Sequence, residues 1–419
     1  MRITPKLIDA AEAVLTQVLT FQHPADAVLS QFFRERRVLG SHDRGFIAET
    51  VYTVLRRRRV LERLLGADCS TRRLVLAALV RLEGISQRQL VASVSEQEAA
   101  WLAAFKAEGA VSLTPAEQAD LPDWLADRLE RQLGVEAMLE LARGLNQAAP
   151  LDLRVNPLKT SREAVLAKLN AEGIEAQACP YAPLGIRLKG KPALQRHPLY
   201  LSGEIEVQDE GSQLLAYLLT PRRGEMVVDF CAGAGGKTLL LGALMRSTGR
   251  LYAFDVAEKR LSRLRTRVAR AGLSNVHVYC INNEHDSRVK RLAGKIDRVL
   301  VDVPCSGLGT LRRNPDLKWR QSAESVTELA RKQFGILAGA ARLVKAGGRL
   351  VYATCSILSE ENEEIVTAFL SDHPEYKRVS AERILTRQGI PLACGEVLHL
   401  TPHEHNTDGF YAVALERSK

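Results

Sequence analysis

The sequence predicts an α/β fold preceded by helices: an all-helical domain over residues 1–140, a small α/β subdomain over 141–204, and over 205–419 a parallel sheet wrapped by crossover helices. Three observations predict this. Up to about residue 140 the chain is rich in Ala, Leu, Arg and Glu and poor in Gly. At "NQAAPLDLRVNPLKT" the composition changes and a short alternating run meets an Asn-Pro break. From about residue 205, apolar runs alternate with helical stretches at the rhythm of a parallel sheet.

Taken in order, "SHDRGFIAETVYTVLRRRRVLERLL" places Ile47, Val51, Val54 and Leu55 at helical spacing, with Ser41, His42 and Asp43 as capping groups. The run Arg56 to Arg59 winds around that helix, so it is either a solvated surface or a contact for RNA phosphates. In the subdomain, a run at Leu151 to Val155 precedes a helix with Val165, Leu166 and Leu169, then a second run at Ile186 to Leu188. The five strands of the last domain are expected at Met226 to Phe230, Arg250 to Asp255, Val276 to Ile281, Arg298 to Asp302 and Arg349 to Thr354.

Composition narrows the function. With 419 residues the chain suggests two or three domains, and a formal charge of +9 favours a polyanionic partner. No window reaches the roughly 18 uninterrupted apolar residues of a membrane span, and the start lacks the apolar core of a signal peptide, so a soluble, cytoplasmic protein is expected. Seven scattered cysteines with no CxxC pair suggest neither a disulfide framework nor a metal site.

The first strand of the sheet runs into "VVDFCAGAGGKTLLLGALM". Gly233, Gly235 and Gly236 permit a tight turn and close ligand approach, and Asp255 ends the next strand where a carboxylate can accept from ribose hydroxyls. A nucleoside-containing cofactor fits. The stretch is one residue from a phosphate-binding NTPase loop, but Cys231 stands where that loop needs its first Gly.

Two later strands end in thiols: Cys305 in "VLVDVPCSG" and Cys355 in "VYATCSILSEENEE". In a parallel sheet both then face the site built by the first two strands, together with Asp302. A helix N-terminus after each is expected to lower its pKa. Thiolate, carboxyl and nucleoside cofactor together suit methylation at C5 of a pyrimidine, a carbon that becomes nucleophilic only after a thiolate adds at C6. Arg312, Arg313, Lys318, Trp319 and Arg320 follow Cys305 directly and are expected to grip a flipped or single-stranded nucleotide, with Trp319 as core the competing reading.

The combination "QDEGSQL", "DFCAGAGGKT", "DVPCSGLGTLRRNPDLKW", "YATCSILSEENE" and "NTDGFYAVAL" resembles the RNA 5-methylcytosine methyltransferases of the Sun/RsmB/Nop2 type, over roughly residues 150 to 417. The N-terminal "HDRGFIAETVYTVLRRRRVLERLL" is similar to the helical NusB-like RNA-binding domain of the bacterial branch. The resemblance implies a Rossmann-like class I methyltransferase domain that uses S-adenosylmethionine on RNA, 16S ribosomal RNA first and transfer RNA second, with neither metal nor membrane. It implies that the loop Cys231, Ala232, Gly233, Ala234, Gly235, Gly236 and Lys237 wraps the cofactor, with Lys237 near its carboxylate, and that Asp255 holds the ribose. Asn283 and Asp286 compete for the adenine. Cys355 would be the nucleophile, Cys305 would assist product release, and Asp302 would lie by the methionine moiety and orient or protonate the base. The chain departs from the family in reading Gly233-Ala234 where Ala-Pro is usual, and Val303 where Ala is usual.

Overall fold

The computed structural model describes residues 3–107, 109 and 111–419. They form two compact units, Met1–Gln147 with Thr310–Ala323, and Ala148–Gly309 with Glu324–Lys419.

The first unit is helical. Its longest helix, Ser41–Arg56, buries Ile47, Val51, Val54 and Leu55 completely, as the spacing predicts. Asp43 caps it by accepting the Gly40 N–H at 3.1 Å, so Ser41 lies inside the first turn. The chain breaks at Arg57 and resumes as Arg58–Leu65. The run is partly covered: Arg56 is buried, and Arg57, Arg58 and Arg59 are half-buried. Arg56 pairs with Glu49, Arg57 with the buried Asp120 at 3.1 Å, Arg58 with Glu62 at 2.6 Å and Arg59 with Asp123 at 2.7 Å. Arg56 and Arg58 pair within their own helices, whereas Arg57 and Arg59 reach across to the segment at 120–123. Helix Val135–Leu145 also carries the unit past the expected boundary at 140.

Thr310–Ala323 belongs to this unit, and burial removes Arg312 and Lys318 from the nucleotide-gripping role expected of the loop, while Arg313 and Trp319 are half-buried and Arg320 is exposed. Lys318 is wholly buried, its ammonium donating to the Arg56 carbonyl and to Asn146 Oδ1, each at 3.0 Å. Trp319 packs against the helical core and donates its indole N–H to Leu55 O at 3.2 Å, Arg312 is buried, and Arg313 is half-buried. A cation without solvent access cannot meet a phosphate. Burial lowers the Lys318 pKa to about 7, against the pull of Asp120.

The second unit opens with a four-stranded antiparallel sheet: β1 Leu151–Val155, β2 Ala176–Ala178, β3 Gly185–Leu188 and β4 Ile205–Val207, in the order β2-β3-β1-β4. Helix Arg162–Ala171, capped by the Ser161 hydroxyl, covers it through Val165 and Leu169. β2 and β4 are three residues each, too short to give a period-2 signal, and β4 lies beyond the expected boundary at 204. Arg187 on β3 grips Asp152 with both arms and reaches Glu210 at 3.2 Å, tying this sheet to helix Glu210–Leu219 of the larger layer. Asp152 and Glu210 share this one guanidinium, with Cys179 close by.

The large sheet contains β5 Met226–Asp229, β6 Arg250–Asp255, β7 Val276–Cys280, β8 Ile296–Asp302, β9 Val344–Thr354, β10 Tyr376–Val379 and β12 Phe410–Arg417, in the order β10-β12-β9-β8-β5-β6-β7, with β11 Leu398–Leu400 paired to β12. The five expected strands are present and mutually parallel. The sheet as a whole is mixed, because β12 returns antiparallel to β9 and β10. Among the described residues, no helix is long and apolar enough to cross a membrane.

Candidate active site

The carboxyl ends of β5, β6, β8 and β9 surround a cavity of about 530 Å³. Such ends gather ligand groups because the sheet fans open there and loops replace covering helices. Into it come Cys231, Ala232, Gly233, Ala234, Gly236 and Lys237 from the first turn, Asp255 from β6, Asn283 from the loop after β7, Asp302 and Cys305 from β8, and Cys355 from β9.

Gly233 sits at φ +56 with nothing within 4 Å of where a Cβ would point, so the loop leaves an open cradle. Gly235 is outside the lining. At φ +90 its missing Cβ makes room for Leu264, which a Cβ would meet at 2.1 Å, so this glycine seats helix Glu258–Ala271. Asp255 is locked by the backbone, accepting from Gly233 N at 2.8 Å and Ala257 N at 2.7 Å. Of the two adenine candidates only Asn283 lines the cavity. Asp286 is spent as a cap, accepting the N–H groups of Arg288 and Asn282.

The two thiols meet. Cys305 Sγ and Cys355 Sγ lie 3.3 Å apart, and the Cys355 N–H also approaches Cys305 Sγ at 3.3 Å. Adjacent parallel strands explain this, since Asp302 on β8 pairs with Ala353 on β9 and the next two or three residues carry the sulphurs. The expected helix N-termini are absent: Leu308–Thr310 after Cys305 and Ser359–Glu361 after Cys355 are single 3₁₀ turns. The Cys305 thiol is correspondingly pushed well up, by its hydrogen bond to Cys355 and by burial. Burial and the neighbouring carboxylates raise Cys231 likewise.

Lys237 Nζ lies 2.6 Å from Asp302 Oδ2. Burial alone would lower the Lys237 pKa, but Asp302 outweighs it and the net shift is upward, so the ammonium stays charged. Beneath the loop is a group the sequence reading passed over. Asp229, at the end of β5, is 1% exposed, with one oxygen bonded to Thr238 Oγ1 at 2.6 Å and the other, Oδ1, lacking a partner. Burial raises its pKa to about 7, against the hydrogen bond from Thr238.

Chemistry-bearing loops need rigid supports, and Glu361 supplies one. Wholly buried, it accepts from Ser306 N at 2.8 Å, from the Ser306 and Ser356 hydroxyls, and from Gln333 Nε2 at 2.9 Å. It therefore joins the residues that follow each cysteine. Gly309 donates to Cys355 O at 2.9 Å and accepts from Gly409 N at 2.8 Å, which ties the "NTDGFY" stretch to the same loops.

Two family models match the chain: "16S rRNA methyltransferase RsmB/F" over residues 216–416, and "Methyltr_RsmF/B-like, ferredoxin-like domain" over residues 121–195. The probable ribosomal RNA small subunit methyltransferase B of Synechocystis is 34% identical across 92% of this chain and 93% of its own length. The chain belongs to the RsmB/F methyltransferase family. The probable ribosomal RNA small subunit methyltransferase B of Bacillus subtilis is 33% identical over 72% of this chain and 67% of its own. A solved methyltransferase homologue from Pyrococcus horikoshii aligns at a TM-score of 0.62 and 28% identity, covering 72% of this chain and 97% of its own. The crystal structure of PH0851 covers 100% of both chains at a TM-score of 0.80 and 27% identity. For a member of the RsmB/F family, the cavity's further lining by Asp229, Arg260, Glu284 and Lys332 was not legible beforehand. Only Asp229, standing directly before the quoted loop, carried a sequence signal.

Proposed function

We propose that this protein is an S-adenosylmethionine-dependent RNA cytosine-C5 methyltransferase acting on 16S ribosomal RNA in the cytoplasm. The observation that carries the reading is the pair of thiols 3.3 Å apart, lining one cavity with a glycine-rich loop and a backbone-locked Asp255. A reaction that must both add and expel a nucleophile has a use for each of them.

The residues fit the cofactor. Gly233 leaves an open cradle, Asp255 offers a fixed acceptor that would take ribose hydroxyls, Asn283 lines the same cavity and would hold the adenine, and Asp229 Oδ1 would accept from a donor such as an ammonium. S-adenosylmethionine, when bound, supplies an electrophilic methyl group. The chain's own residues make the cytosine ready for it. Cys355 adds to C6, and the electron density released onto the ring makes C5 the nucleophile. Asp302, held by Lys237, orients the base and eases protonation at N3. After C5 is methylated its proton must leave and Cys355 must be expelled. Cys305, protonated and hydrogen-bonded to Cys355 in the resting pair, would hand its proton to the departing Cys355 sulphur and, as the thiolate so formed, take up the proton lost from C5. The helical unit is the NusB-like RNA-binding part of this reading. Deletion of the gene should remove one 5-methylcytosine from 16S rRNA and its return should restore it. A site lost from transfer RNA instead would move the substrate assignment, and no lost site would reject the reaction.

A further inference from the structure

β7 is the edge of the large sheet, and the face it shares with β6 is left partly uncovered. Alternation along the strands brings Tyr252 and Phe254 of β6 and His277 and Tyr279 of β7 to that one face, cross-strand neighbours in the ladder. Phe254 is buried, Tyr252 is half-buried, and His277 and Tyr279 are exposed. Tyr252 and Tyr279 lie near parallel, centroids 6.4 Å apart and planes at 25°, with His277 5.6 Å from Tyr252 at 33°. His277 and Tyr279 thus present their rings to solvent, with Tyr252 half-buried beside them and packed against the core beneath.

The surroundings are basic. Arg250, two residues before Tyr252 on the same face, is exposed, as are Arg288, Lys290 and Arg291 in the segment that follows β7. Arg288 is anchored beside Tyr279, donating to the carbonyl of Cys280 at 3.0 Å. Of the acids in this neighbourhood, Glu284 lies 3.6 Å from His285, and two others are engaged. Asp286 caps the short helix that follows and faces Arg288, and Asp297 pairs with Lys345 and accepts the Met226 N–H. Exposed rings on a strand pair, flanked by the exposed cations Arg250, Lys290 and Arg291, match what single-stranded RNA offers: unstacked bases and a phosphate chain.

We infer that Tyr252, His277 and Tyr279 form a stacking platform for a single-stranded segment of the substrate RNA, with the cations at 250 and 288–291 taking its phosphates. The inference rests on the proposed RNA substrate. It adds a second contact surface on the catalytic unit, on the sheet face rather than at the strand ends where the cavity opens.

The test compares the wild-type full chain with His277→Ala/Tyr279→Ala and with Lys290→Glu/Arg291→Glu, each verified as folded by its melting transition. The probes are a fluorescent single-stranded oligoribonucleotide for binding and a 16S rRNA transcript for methyl transfer. Loss of the rings should raise both Kd and KM by roughly fivefold or more with kcat unchanged. Charge reversal should weaken binding and flatten its salt dependence. Folded variants with unchanged Kd and KM overturn the platform, as does a change in sedimentation without a change in RNA affinity, which would assign the face to a second copy of the chain. If wild type methylates no RNA, yet binds the oligonucleotide through these rings, the platform stands and the proposed reaction falls.

Discussion

Cys305 and Cys355 stand with their sulphurs 3.3 Å apart at the ends of neighbouring parallel strands, and a single buried carboxylate, Glu361, fixes the residue after each. The distance between the thiols is thus set by a scaffold as well as by the strands themselves.

Glu361 is a positioning residue, and its replacement should separate geometry from chemistry. Glu361→Gln keeps the shape but removes one acceptor and the charge, leaving hydroxyls of Ser306 and Ser356 competing for a poorer partner. We expect kcat to fall roughly tenfold to a hundredfold, as for misplaced catalytic groups, with the affinity for S-adenosylmethionine unchanged by titration calorimetry. Glu361→Ala should additionally cost about 3 kcal/mol of stability, because buried donors are left unpaired.

The glycine pair is the second support. A Cβ on Gly309 would lie 2.2 Å from the Gly409 carbonyl oxygen and 2.9 Å from Cys355 O. Gly309→Ala must therefore shift the Cys355 loop. Methyl transfer should fall sharply while the circular dichroism spectrum stays native, and an active Gly309→Ala enzyme would mean that the loop is not held at this point.

Asp229 makes stability depend on pH. Its native pKa of about 7 stands above the ordinary 3.8. Between these values the native state keeps a proton that the unfolded state has lost, so stability falls as pH rises through the window. Asp229→Asn removes the dependence. Thermal melts at about pH 5 and about pH 8 should show wild type losing ground to the variant at the higher pH.

Lys318 acts in the opposite sense within the helical unit. With a native pKa of about 7 against 10.5, the unfolded state binds the extra proton between these values, so stability rises with pH there. In Lys318→Met this rise should be absent from the denaturant midpoints measured at about pH 7 and about pH 9.

The strands were legible because five apolar runs repeat with helical spacers, and the thiols were legible because both ended such runs. β12 was visible as the motif "NTDGFYAVAL" but not as an antiparallel strand, since direction is settled by its pairing with β9 and β10 and not by its own pattern. Lys318 and Trp319 read as an exposed basic-aromatic loop because their partners, Arg56 O, Asn146 and Leu55 O, lie more than 170 residues away. Local sequence carries no sign of such burial. Arg57 and Arg59 likewise meet distant acids, Asp120 and Asp123, whereas Arg56 and Arg58 pair with the nearby Glu49 and Glu62. Gly235 and Asp286 were grouped with ligand-facing neighbours by position alone. Only the packing of Leu264 and the capping of helix Ser287–Lys290 separate them.

The central claim is that Cys355 attacks and Cys305 releases. The most direct measurement is denaturing electrophoresis of enzyme incubated with S-adenosylmethionine and a 16S rRNA transcript, comparing wild type, Cys305→Ala, Cys355→Ala and the double variant. The account predicts a covalent protein–RNA band that accumulates only in Cys305→Ala and vanishes when Cys355 is also replaced. A band that accumulates in Cys355→Ala and depends on Cys305 would contradict it and reverse the two roles.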